Sequence, residues 1–238
     1  MPSSSDNPGR DVLSALRSVF DLVATLLLAL AAIAILWRLA RPPRPAFSAV
    51  RMPSGPVSTK GAPTIGSPAA SVALIEYTDY QCPVCERFNE DPWPALKRSF
   101  VDTGKVLVVF RHLPLERIHP MALMEAEYAY CGQEQQRFWP MHLWLLQHQR
   151  EISGAALMDE AMDVGLERKR LDACLASEAQ PAIQSELANA KVLAISSTPT
   201  FFIGRRATGD EVQVTSRLDG AAQFGDFSAA IDRASRAR

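Results

Sequence analysis

A surplus of either charge is missing: 25 Lys and Arg stand against 26 Asp and Glu, a formal net charge of −1. A nucleic-acid surface needs a clustered basic excess, so that class is excluded. Cysteine is scarce, four in 238 residues, too few for a disulfide scaffold, which leaves redox chemistry as the better use of an even count. The four histidines, His112, His119, His142 and His148, include no i, i+4 pair of the kind a helical metal site uses. We expect neither a metal nor a histidine base. Disorder throughout is excluded as well, since 47% hydrophobic residues suffice for a proper core in one or two domains.

What is present begins with a polar tail over residues 1–18, marked by Ser3, Ser4, Ser5, Asp6, Pro8 and Gly9. Leu22 to Trp37 then carry no charge, and with Val19 and Phe20 the run reaches membrane-spanning length at ~1.5 Å per residue. We read one transmembrane anchor at 19–40. The alternatives are a cleaved signal peptide and a buried soluble helix. A signal peptide wants a positive leader, whereas Arg10 and Arg17 are offset by Asp6, Asp11 and Asp21. From 41 to 68 the composition shifts to proline, serine and glycine, which reads as an extended, semi-rigid spacer.

The informative stretch is Thr78-Asp79-Tyr80-Gln81-Cys82-Pro83-Val84-Cys85. Val72 to Ile75 ahead of it read as a buried strand, and Cys82 to Phe88 as the first turns of a helix. A thiol at that junction meets unpaired backbone N–H groups and the positive end of the helix dipole, which favour thiolate. Cys82 is therefore the expected nucleophile, and Cys85, one turn in and facing the body of the fold, its resolving partner. Pro83 suits the first helical turn, where its missing donor costs nothing. Half a zinc site is the competing reading of Cys-x-x-Cys, but Cys131 and Cys174 stand alone and far apart.

Downstream, Ser197-Thr198-Pro199-Thr200-Phe201-Phe202-Ile203-Gly204 puts a proline ahead of an aromatic strand and a turn glycine. Proline there is confined to a strand's start or edge. Between the two motifs, Lys105 to Arg111 read as a central strand and 117–194 as helical almost throughout. Met121, Met124, Tyr128 and Cys131 share one helix face, and Leu171, Cys174 and Leu175 a stripe on another, so both spare cysteines are expected to be buried. Val212 to Thr215 read as a short strand and Phe227 to Ala234 as a last helix.

With both motifs in this order around a long helical stretch, the chain from about Ser71 to Arg233 resembles the DsbA-like thiol:disulfide oxidoreductases of the thioredoxin superfamily. The resemblance implies an α/β, thioredoxin-like fold with an inserted helical domain, here preceded by one N-terminal transmembrane helix. The thioredoxin-like domain would be 69–116 and 195–238, the insert 117–194. It implies a cis Pro199 facing the cysteines, with Thr198 and Pro199 offering backbone groups to an extended substrate segment. It implies a buried acid at Glu76 exchanging protons with Cys85, against the plainer reading of a solvated edge-strand glutamate. It also implies a Cys131–Cys174 disulfide, the alternative being two free apolar thiols. Expected partners are protein thiol or disulfide substrates and a membrane redox partner, DsbB-like or similar, with no cofactor.

The resemblance further implies a catalytic domain on the outer side of the cytoplasmic membrane, because a cytosolic pool would keep the dithiol reduced. Arg38, Arg41, Arg44 and Arg51 after the apolar run argue the other way, and we follow the chemistry. Strongly oxidising relatives carry histidine between proline and the second cysteine. Val84 stands there instead, so a milder oxidant, or a reductase or isomerase, is expected, with a Cys82 pKa above about 4.

Overall fold

The computed structural model describes residues 20, 22–33, 36, 51–149, 152–207 and 209–237. The chain divides into one unit from Met1 to Ala49 and another from Val50 to Arg238. In the first, residues 22–33 are helical with outward apolar side chains, Leu28 being 71% exposed. Among the described residues no helix is long and apolar enough to cross a membrane. The expected tail at 1–18, most of the flanks of the 19–40 anchor and residues 41–50 of the spacer lie outside the described residues.

Among the described residues the second unit has six strands: β1 (Val57–Ser58), β2 (Thr64–Gly66), β3 (Val72–Thr78), β4 (Val106–His112), β5 (Thr200–Arg206) and β6 (Glu211–Asp219). They form one sheet in the order β1-β6-β5-β3-β4-β2. β3 and β4 are parallel, and every other pairing is antiparallel. Uninterrupted apolar runs such as Val72-Ala73-Leu74-Ile75 suit strands covered on both faces. Alternation then divides their side chains. Val72 and Leu74 enter one core with Val108, Phe110 and Phe201, while Ala73, Ile75 and Tyr77 enter a second with Val109 and Phe202.

The crossover from β3 to β4 holds α1 (Pro83–Glu90), α2 (Trp93–Leu96) and a π-helical turn at Lys97–Val101. A cis Asp91–Pro92 bond separates α1 from α2. Among the described residues, five helices intervene between β4 and β5: α3 (Ala122–Glu134), α4 (Phe138–Gln147), α5 (Gly154–Asp163), α6 (Arg168–Ser177) and α7 (Ala179–Val192). The final α8 (Phe224–Arg236) brings Phe227 against Phe88 and Phe201.

Three expectations need correction. Residues 57–58 and 64–66, read as spacer, are edge strands β1 and β2, pairing with β6 and β4. Two and three residues are too few to show alternation, and the surrounding prolines fit sheet edges as well as linkers. β6 runs through Asp219 rather than stopping at Thr215. Its polar end is tied down locally, with Arg217 on Asp219 at 2.9 Å and over the Phe202 ring. Met124, placed on the core face of α3, is 39% exposed.

Candidate active site

α1 starts where β3 has delivered the chain to the carboxyl edge of the sheet. Cys82 is its N-cap residue, in extended conformation, with Pro83 in the first turn and no side chain capping the free N–H groups. Those donors point at whatever sits on the cap, here the sulfur itself. Thr198–Pro199 is a cis bond, and the preceding carbonyl reaches the same sulfur: the Cys82 thiol donates to Thr198 O at 3.4 Å. Two segments 116 residues apart thus meet at one atom.

The two thiols, both free, sit in opposite electrostatic settings. The Cys82 pKa is lowered to about 5, first by the hydrogen bond from the Cys85 thiol, against burial, and further by the Thr198 side chain and the backbone N–H groups of Cys85 and Val84. Cys85, fully buried, is raised well above an ordinary thiol, first by burial and then by its bond and proximity to Cys82. One sulfur therefore carries the negative charge of the pair and the other the proton.

Glu76 lies on central β3 between β4 and β5 and is 1% exposed, which removes the edge-strand alternative. Alternation puts it on the face of Leu74 and Thr78. Burial raises its pKa to about 8, against a smaller lowering from Thr78. The same Thr78 side chain also lowers the Cys85 pKa, though its hydroxyl makes no hydrogen bond to either group. Cys131 and Cys174 are joined in a disulfide linking α3 to α6, with Cα atoms 5.9 Å apart.

Several residues here carried no role in the sequence reading. Asp79 accepts from Gln81 N and Leu115 N, each at 2.8 Å, and lies 2.7 Å from His119 Nδ1. The bond back from Gln81 is an Asx-turn, and an aspartate three residues ahead of the helix N-cap is the available signal. Met121 N donates to the Gln81 side chain at 2.8 Å. Tyr80, fully buried, meets His142 Nδ1 at 2.9 Å, and burial lowers the His142 pKa to about 3. No sequence pattern announces Tyr80–His142, since the partners lie 62 residues apart.

A dithiol at a helix start, facing a cis-prolyl turn supplied by a distant segment, is the dithiol site of a thioredoxin-like fold. The thioredoxin family model matches residues 58–233, and the chain belongs to that family. Among solved structures it is similar to oxidised BdbD from Bacillus subtilis, at 22% identity and a TM-score of 0.65 over 77% of this chain and 97% of that one. It is also similar to alpha-DsbA1 from Wolbachia pipientis, at 23% identity and a TM-score of 0.63 over 74% and 91%. Among curated proteins it is 39% identical over 146 residues to Na(+)/H(+) antiporter NhaA 3 of Salinispora tropica. That match takes in 60% of this chain but only 22% of the antiporter's length.

Proposed function

We propose that the chain is a membrane-anchored dithiol oxidase for protein substrates, working through Cys82 and Cys85. The observation that carries this is the split between the sulfurs, with Cys82 lowered to about 5 and Cys85 raised. A thiol that ionises so readily is a good leaving group, and its stabilised reduced form makes the disulfide oxidising.

In the oxidised protein, a substrate thiolate attacks Cys82 and the Cys82–Cys85 bond breaks. Cys85 leaves as a thiolate and takes a proton, which Glu76, protonated below about pH 8, can supply. A second substrate thiolate then attacks the substrate sulfur of the mixed disulfide and Cys82 leaves as a thiolate. The substrate has lost two electrons and the dithiol has gained them. Ser196 and Ser197 are exposed and lead into the buried Thr198 and Pro199, and docking of an extended substrate segment by strand addition would start from that exposed approach. A membrane partner that reoxidises the dithiol completes the cycle.

Anchoring by residues 19–40 is supported by the uncharged run from Leu22 to Trp37 and by the outward apolar side chains of residues 22–33. In this reading the catalytic unit stands outside the cytoplasmic membrane. Val84, which brings no side-chain donor to the sulfur, favours the second reading of a milder reductase or isomerase. Equilibration with glutathione decides between them. A potential above the compartment's supports the oxidase, and one below it overturns that direction. Carbonate extraction of membranes tests the anchor: release into the soluble fraction would remove it.

A further inference from the structure

Behind the turn that carries Cys82 lies a second buried acid, Glu125, which the chemistry above does not use. It sits on the first turn of α3 and is 0% exposed, and neither carboxyl oxygen has a hydrogen-bond partner. Its charge bears on Asp79 and on Tyr80, the residues just ahead of Gln81 and Cys82. Asp79 is the clamp of this region. Its carboxylate gathers the dithiol loop at Gln81, the loop after β4 at Leu115, and His119 ahead of α3.

A buried carboxyl whose oxygens accept no hydrogen bond holds a charge poorly. Glu125 is that case, one helical turn after Met121, whose N–H holds the Gln81 side chain. We propose that Glu125 is a positioning residue of the dithiol loop: buried on the turn of α3 that grips Gln81, its carboxyl keeps the turn before Cys82 seated only while it retains its proton. This refines the Cys82 site on which the oxidase reading rests.

The other groups that bear on this acid are few in kind. Asp79 and Tyr80 come from the loop itself, with His119 from the segment before α3. Through Tyr80 the cluster extends to Glu76 of β3, His112 of β4, His142 of α4 and Glu186 of α7. Tyr80 is raised by the acids and His142 is lowered by burial, so neither turns cationic to offset an ionised Glu125 near neutral pH. Burial, with Asp79 second, raises the Glu125 pKa to about 8. Above that point a buried negative charge appears on Glu125 and acts on Asp79, and the clamp at Asp79 loosens. The sulfur beyond it then becomes more basic and more accessible.

The test uses the full reduced protein and iodoacetamide, which reads Cys82 without any protein substrate. Glu76 titrates in the same range, so the comparison is made in Glu76→Gln. There the alkylation rate should rise with the Cys82 thiolate near pH 5, level off, and rise again about threefold between pH 7 and 9, the change a one-unit gain in thiolate basicity gives. Adding Glu125→Gln should abolish the second rise. A flat profile in Glu76→Gln, or an unchanged second rise in the double variant, overturns the proposal. A carbon-13 carboxyl titration of Glu125 in unmutated protein needs no folded variant: a midpoint near 8 is expected, and one in the ordinary carboxylate range overturns it. Neither readout depends on oxidase turnover, so failure of either reading leaves the other testable.

Discussion

The molecule keeps two cysteine pairs in two kinds of surroundings. Cys131 and Cys174 close α3 onto α6 inside the apolar core that also holds Phe138, Met141, Leu157 and Leu171. Cys82 and Cys85 straddle a helix start beside a carbonyl and a cis-prolyl turn. Burial is common to all four sulfurs, so burial alone does not decide what a cysteine does. What separates them is access to groups that can carry charge or move a proton. The insert pair has oil around it and only a bond to make, whereas the helix-start pair has donors that stabilise a thiolate on one sulfur alone.

The sharpest way to break that contrast is to exchange consequences. Cys82→Ala should lower dithiothreitol-driven insulin reduction and oxidative refolding by on the order of a thousandfold or more, as loss of a nucleophile does. A redox-dependent complex that survived this substitution would instead mark a binding module without turnover. Removing the insert pair, Cys131→Ala with Cys174→Ala, should leave the Cys82 titration in place. It should cost about 4 kcal/mol of stability in urea unfolding, the loop-closure value for a separation of 43 residues. If instead the insert variant lost its low Cys82 pKa, the two regions would not be independent.

A third prediction compares the oxidised and reduced forms of one protein. Above pH 5 the native reduced state carries a Cys82 thiolate, while the unfolded chain keeps that thiol protonated up to about 8.5. The unfolded state then binds more protons, so the reduced form gains stability with rising pH across that window and loses it as pH falls through 5. Carboxyls shared by both forms cancel in the difference. Stability of the reduced relative to the oxidised form should climb by about 1.4 kcal/mol per pH unit from roughly 5 to 8.5, and absorbance at 240 nm should give the same midpoint. A pH-independent difference would mean that Cys82 has an ordinary pKa.

Much of this was legible in the chain because the decisive signals are local. An apolar run ending at Cys-Pro-x-Cys tells of a strand feeding a helix, and Lys105 to Arg111 shows its central strand in composition alone. The edge strands β1 and β2 were hidden because a pairing of two or three residues leaves no period to count, and the partners Val57 and Val212 are far apart in sequence. The polar supports of the site were hidden for another reason. Asp79, His119 and Glu125 look like ordinary surface residues until the insert folds back over the loop. A helix whose Met124 faces outward and Glu125 inward reverses what hydrophobicity would assign.

The smallest expected effect concerns the proton that the insert pair never needs. When a substrate thiolate opens the Cys82–Cys85 bond, the inner sulfur leaves into a buried site that penalises its charge. Glu76, protonated below about pH 8, offers that proton at the moment of departure, whereas glutamine keeps the shape and neutrality but has no acidic proton. Glu76→Gln should therefore slow single-turnover reduction of the oxidised protein by excess peptide thiol about a hundredfold at pH 6, the low end for general acid catalysis. The deficit should close above pH 8, where the native carboxyl has already lost its proton. A deficit of equal size at pH 6 and pH 9.5 would make Glu76 a packing residue, and the chemistry around Cys85 would then resemble that around Cys131 more closely than the buried acid suggests.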